Sequence, residues 1–274
     1  MPGHGISNSP FLNGRVGGGA TPDPDGLLFI AAEEAAGATF TAGQITAINN
    51  LFLDFKGQGP NNSTTDFWTT NKIKRYWPLV GASAAPNAID VRLNTSSWFG
   101  GWTHSATGAK GNASNTYFET IPFQGESGGD WGHGMYVDDF TSGEWFSGYI
   151  RYAPARVSGY RTIGVLTGSM NVRGSGVTYA GDNYTGARSA IRISGDVDVL
   201  GNGAFVNTGA SADDGDDAFP FFFGAINNSG FGPFGVNDMD YRSMYITYGI
   251  TRAEAITLQN IDNAFQTALG RNIY

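Results

Sequence analysis

The stretch GGWTHSATGA, residues 100–109, gathers Trp102, Thr103 and His104 among glycines and small residues, and His104 is one of three histidines in the chain. An imidazole beside hydroxyls is the raw material of general-base or nucleophilic catalysis, which also needs a carboxylate to orient the ring and a nucleophile in reach. The neighbourhood of His104 contains no second acid and no nucleophile elbow, the strained turn that presents a catalytic serine. His104 therefore reads as a structural histidine. A second stretch, GDWGHGMYVDDF at 129–140, offers Asp130, His133, Asp138 and Asp139. Strand alternation sets Trp131, His133, Met135 and Val137 on one face and Tyr136 and Asp138 on the other, which separates His133 from Asp138 as ligands of one ion.

Glycoside hydrolysis needs two carboxyl groups flanking the scissile bond, about 5–5.5 Å apart in retaining enzymes. Glu119, Glu126 and Glu144 stand isolated, and the Asp196/Asp198 pair of GDVDV has no glutamate partner. The densest acidic run, ADDGDD, holds Asp213, Asp214, Asp216 and Asp217, and PDPDG at 22–26 is also rich in Asp. Calcium takes oxygen ligands, but neither spacing is that of an EF-hand, so both read as solvated turns, with a calcium ion at Asp213–Asp217 left open. No catalytic residue, metal site or cofactor is expected.

The balance of 24 acidic to 16 basic residues gives a net charge of −8, which excludes a phosphate-tracking surface and hence a nucleic-acid partner. The absence of cysteine excludes disulfides, thiolate metal sites and a cysteine nucleophile. The opening MPGHGISNSP has no basic and apolar signal regions, and no stretch approaches the roughly 18 apolar residues of a membrane span, so neither a secretion signal nor a membrane partner is expected. The sequons at Asn62, Asn94, Asn112 and Asn183 carry little weight in that setting.

Elements must position whatever the chain binds. Residues 1–40 read as an extended arm, because turn-forming residues dominate until Leu27, Leu28, Phe29 and Ile30. Thr41 and Gln44 form a capping box, and Ile45, Ile48, Leu51, Phe52 and Phe55 recur at helical spacing up to Gly57. A second short helix from Thr65 or Asp66 to Tyr76, stopped by Pro78, would make 41–77 a helical hairpin. From about residue 88 the period changes to two. Expected strands are 97–104, 115–123, 131–139, 144–153, 160–167, 188–199, 203–208, 218–226 and 244–250. About ten short strands without intervening helices imply antiparallel sheets packed as a sandwich or jelly roll. Thr251 and Glu254 then cap a closing helix whose apolar face is Leu258, Ile261, Phe265, Ala268 and Leu269, ending at Gly270. The 41 glycines are spread along the chain, as many tight turns require.

Three stretches together resemble a known family: ITAINNLFLDFKG leading through WTTNKIKRYWPLVGASA, then FGGWTHSATGAKGNASNTYFET, and the ending YRSMYITYGITRAEAITLQNIDNAFQTALGR. They are similar to a group of tailed-bacteriophage virion structural proteins, over about residues 41–274. The resemblance implies a mainly β fold, a concanavalin-A-like antiparallel β-sandwich (jelly roll) with an N-terminal helical hairpin and a C-terminal helix. It implies a non-enzymatic capsid, head-fibre or tail component, located on the virion, with other virion proteins as partners and homo-oligomers expected. Gly100 to His104 is a framework strand in that pattern. The arm 1–40 is expected to anchor the jelly-roll domain 41–274, with Phe11, Leu12, Leu27, Leu28, Phe29 and Ile30 as the assembly interface and a strand added through 27–30. Two alternatives stay open. One is a carbohydrate-binding adhesin for host surface glycan, for which Trp68, Trp98, Trp102, Trp131 and Trp145 would matter if exposed, although alternation buries most of them. The other is a glycan depolymerase.

Overall fold

The computed structural model describes residues 22–120, 130–138, 145–153, 156–166, 169–173, 177–180, 185–210, 221–228, 233–234 and 236–272. The first element corrects the expected arm. Pro24–Ala35 is a helix, α1, because the Asp-rich segment that reads as a turn is a helix start. The Asp23 carboxylate accepts from the backbone amides of Asp25 and Gly26 at 3.0 and 3.1 Å, and Pro24 takes the first helical position, where its missing N–H costs nothing. Phe29 and Ile30 are 0 and 1% exposed in the chain's own core, so neither is free to form an assembly interface. Phe11 and Leu12 lie outside the described residues. The next helix, α2 (Ala42–Phe55), has the expected capping box of Thr41 and Gln44. Lys56 at its end binds Asp23 and Asp25 at 2.7 and 2.6 Å and ties the two helices together.

The expected helix over 65–77 is instead a turn followed by a strand, β1 (Ile73–Trp77). Asp66 accepts from the amides of Trp68 and Thr69, and Asn71 sits at φ 55°, a left-handed residue that stops a helix. Pairing of β1 with the last strand then overrides the apolar spacing that looked helical. A single helical turn follows, α3 (Ala84–Asn87).

The remaining strands in chain order are β2 (Ser97–Phe99), β3 (Thr103–Ser105), β4 (Gly108–Lys110), β5 (Tyr117–Glu119), β6 (Trp131–Val137), β7 (Trp145–Ala153), β8 (Arg156–Leu166) and β9 (Ser169–Arg173). They continue with β10 (Val177–Ala180), β11 (Gly186–Ile193), β12 (Asp196–Gly201), β13 (Ala204–Ala210), β14 (Phe222–Phe223), β15 (Ile226–Asn228), β16 (Pro233–Phe234) and β17 (Asp240–Tyr248). Two expected strands are split. Gly100, Gly101 and Trp102 separate β2 from β3 within 97–104, and Ser194 and Gly195 turn 188–199 into the hairpin β11–β12. Both residues of that two-residue turn have positive φ, 52° and 97°, as do Asn202 and Gly203 at 51° and 74° between β12 and β13. Such primed turns match the twist of the flanking strands.

One sheet runs β13-β12-β11-β6-β17-β4-β3, with β1 alongside β17, and the other runs β10-β9-β8-β7-β14-β5-β2, with β15 and β16 attached. The chain is mainly β, an antiparallel β-sandwich of the jelly-roll class, as the sequence predicts. Trp77, Phe118, Met135, Val199, Phe223 and Met244 fill the space between the sheets. The far face of the first sheet is covered by helices, so that Ile191, Leu200 and Tyr245 share a second core with Phe29, Phe52 and Phe55.

The closing helix α4 (Arg252–Ala268) has the expected capping box, and Leu258, Ile261 and Phe265 are buried against this layer. Each such side chain contributes roughly 1.5–3 kcal/mol on burial. A buried polar core locks the helix. Asp262, 0% exposed, accepts from the Tyr76 hydroxyl at 2.7 Å, the Ser243 hydroxyl at 2.7 Å and the Gln266 side-chain amide at 3.0 Å. Arg271, just beyond, donates to the carbonyls of Leu79 and Pro78 at 3.0 and 3.2 Å.

Candidate functional site

The helices occupy one side of the sandwich. On the opposite side, three short strands of the second sheet assemble a row of aromatic rings. Register sets Phe99 of β2 opposite Tyr117 of β5, and places Glu119 between Ser97 of β2 and Phe222 of β14. Alternation turns Phe118 and Phe223 into the core, so Phe99, Tyr117, Glu119 and Phe222 project the other way. The rings of Phe99 and Tyr117 stack at 4.7 Å and 7°, and Tyr117 continues to Phe222 at 4.6 Å. Phe99 is 39% exposed, so the row has an open end.

Tryptophans hold the row from behind. Trp98 packs on Phe118 at 4.2 Å and edge-on to Trp102 at 4.8 Å, and the Trp102 indole donates to the Tyr117 carbonyl at 3.3 Å. Beside the stacked pair, the loop 111–116 is ordered by its own side chains. Asn112 Oδ1 accepts from the amides of Ser114 and Asn115, and the Asn112 side-chain amide donates to Asn115 Oδ1 at 3.0 Å. Burial pushes the Glu119 carboxyl above its usual range, and the Tyr117 phenol is raised by burial and by the nearby Glu119 charge. The arrangement offers a flat apolar surface with a half-buried acceptor beside it. Those features suit a sugar ring, whose C–H face stacks on aromatic rings while its hydroxyls donate to a carboxylate.

His104 lies behind this row. Its Nδ1 is 3.3 Å from the Asn87 side-chain amide, and its ring stands edge-on to Trp98 at 4.6 Å. Asn87 Oδ1 in turn accepts from the Gly81 amide at 2.8 Å. The ring thus ties β3 to the 78–87 segment, and burial lowers its pKa, favouring the neutral form. His133 is buried between Trp131 at 5.4 Å and Phe221 at 4.7 Å. Asp138 pairs with Arg242, and Asp130 accepts from the Ser194 amide at 2.7 Å, so these residues are not brought together around one centre. Asp198 is held by Arg252 at 2.7 and 2.9 Å, in an open groove of about 570 Å³ that also includes Ile193, Asp196 and Thr208. Among the described residues, no group of three or more His, Asp or Glu side chains could hold a metal ion. Glu126, Asp139, Glu144, Asn183 and the Asp213–Asp217 loop lie outside the described residues, as does the side chain of Trp145.

Of the tryptophans expected to matter for sugar, the four whose side chains are described are not the exposed platform. Trp131 is 3% exposed, while Trp68, Trp98 and Trp102 are half-buried as packing residues, with the Arg92 guanidinium 3.6 Å from the Trp68 ring. The exposed ring of Phe99 and the half-buried ring of Tyr117, with Phe222 beside them, escape sequence reasoning because their strands are two or three residues long. Alternation over so few residues gives no readable period.

No protein-family model and no curated protein matches the chain. Solved structures similar to it include botulinum neurotoxin type C, whose cell entry depends on interaction with two ganglioside molecules. That likeness has 11% identity, covers 65% of this chain and 48% of that one, and has a TM-score of 0.47. Domain 4 of AbnA, an extracellular arabinanase from Geobacillus stearothermophilus, in complex with arabinotriose, is similar at 14% identity, 69% and 98% coverage and a TM-score of 0.45. A mutant Trypanosoma rangeli sialidase with trans-sialidase activity is similar at 10% identity, 88% and 38% coverage and a TM-score of 0.48. The chain thus spans less than half the length of the toxin and sialidase chains it matches. Likeness at this level is confined to the broad arrangement of strands.

Proposed function

We propose that the chain is a non-enzymatic surface module that holds carbohydrate on the aromatic row of its second sheet. The observation that supports this reading is the open, parallel-stacked pair Phe99 and Tyr117 with Glu119 beside it. Binding rather than hydrolysis is favoured because Glu119 has no second carboxylate opposite it among the described residues of the row, whereas glycosidases use two. Retention on a glycan array by the wild-type protein, abolished by Phe99→Ala, is the expected result. Reducing-end release from a bound polysaccharide that stops on Glu119→Gln would instead make the protein an enzyme.

The sequence resemblance to phage virion proteins adds where such a module works. We read it as a particle component whose sugar-binding face meets the host surface. Of the interface residues expected in the arm, Leu28, at 38% exposed, is the outward-facing one among those described. A Leu28→Glu variant that folds normally and is missing from purified particles would support anchoring through α1. Incorporation at normal copy number would move the anchor elsewhere.

A further inference from the structure

Among the described residues the proposed site has one charged group, Glu119, and its surroundings narrow the class of sugar. Glu119 stands next to the stacked rings, flanked by Ser97 and Phe222 across the sheet. Neither flanking residue carries a charge. Among the described residues no lysine or arginine pairs with this carboxylate, in contrast to Asp23, Asp90, Asp138, Asp198 and Glu254, each of which has a cationic partner. The ring packing that half-buries Glu119 also thins the water that would screen it. A ligand carboxylate laid on Phe99 and Tyr117 would therefore meet a like charge at short range that no described lysine or arginine offsets. The net charge of −8 opposes the approach of polyanions over longer distances as well.

We infer that this face accepts uncharged sugars and rejects acidic ones, with Glu119 acting both as acceptor for a sugar hydroxyl and as the excluding charge. The inference rests on the proposal that the aromatic row binds carbohydrate. Stacking on flat rings tolerates many pyranoses, so the rings alone would not discriminate by charge. A carboxylate with no cation against it would, because specificity is built from what a site repels as much as from what it attracts.

The test uses the full chain and the variants Phe99→Ala and Glu119→Gln, each first shown to melt cooperatively. Binding is measured at low ionic strength to immobilised neutral glycans (gluco-, galacto-, manno- and N-acetylhexosamine polymers) and to acidic ones (polygalacturonate and polysialic acid). Expected is retention on at least one neutral polymer, none on the acidic pair, and loss of retention in Phe99→Ala. Glu119→Gln should weaken neutral binding roughly tenfold, since a charge-assisted hydrogen bond is replaced by a neutral one, and should narrow the gap between neutral and acidic ligands. Wild-type retention on an acidic polymer that Phe99→Ala abolishes would overturn the inference while leaving the aromatic row as the binding face. Absence of retention on every polymer, or retention that Phe99→Ala leaves intact, would overturn the proposal about the row and this inference with it.

Discussion

At the scale of single residues, two positions show how tightly the helical layer meets the first sheet. Gly134 of β6 faces Tyr245 of β17, and a Cβ added there would fall 2.3 Å from the tyrosine ring, which itself stacks on Tyr76 at 6.1 Å. Gly134→Ala should therefore destabilise by about 1–3 kcal/mol through overpacking, measured by urea unfolding. Glu33 of α1 is the opposite case, a carboxyl that is 0% exposed and whose two oxygens have no hydrogen-bond partner among the described residues. Burial raises its pKa well above the ordinary 4.5, so the folded protein favours the neutral acid. A carboxyl raised in the folded state contributes most below the unfolded pKa, and that contribution is lost as pH climbs through the raised value. Stability should fall across that interval above pH 4.5, and Glu33→Met should flatten the fall and stabilise the protein at neutral pH by about 1–3 kcal/mol. A melting temperature with the same pH slope in both proteins would contradict the assignment. Neither role is legible in the sequence, because Gly134 falls in the expected strand 131–139 without showing which ring it faces, and Glu33 falls in a segment expected to be an extended arm.

Among the elements, those with local chemical signatures were readable. The capping boxes Thr41/Gln44 and Thr251/Glu254 are written in consecutive residues, and both helices start where the sequence places them. Thr251→Ala should cost about 1 kcal/mol in thermal unfolding, typical of a lost N-cap. Tyr76→Phe removes a donor to the buried Asp262 and should cost about 1.5–3 kcal/mol, the worth of a hydrogen bond to a charged group. Deleting 251–274 should abolish the cooperative melt altogether, since it strips the faces of Ile191 and Leu200. The misread elements depend on distant partners. Nothing between 65 and 77 announces that Tyr76 will pair with Tyr245, and a helix cap and a turn draw on the same Asp-Pro-Asp-Gly vocabulary at 23–26. The aromatic row was out of reach for the same reason, because β2, β5 and β14 come from three separated parts of the chain.

For the whole molecule, the structure has three layers in order: helices, a first sheet, and a second sheet that presents the aromatic row on its far side. Helix α1 belongs to the first layer rather than to a free arm. A truncation removing residues 1–35 should therefore lower the melting temperature by exposing Phe52, whereas an independent arm could be lost without that effect. The pairing of β1 with β17, described above as a matter of register, also sets an order of events in time. Strand β17 lies between β6 and β1, and α4 covers Leu200 and Tyr245 only after it. On the ribosome, residues 24–77 would emerge long before the strand and helix that cover them, and such long-range closure is slow. Nascent chains arrested at residue 239 should be cleaved readily by protease within α1, α2 and β1, while the chain released from the ribosome with α4 included should resist. The hydrophobic faces of residues 24–77 would thus stay uncovered until β17 and α4 are made, and their exposure sets how long that wait can safely last.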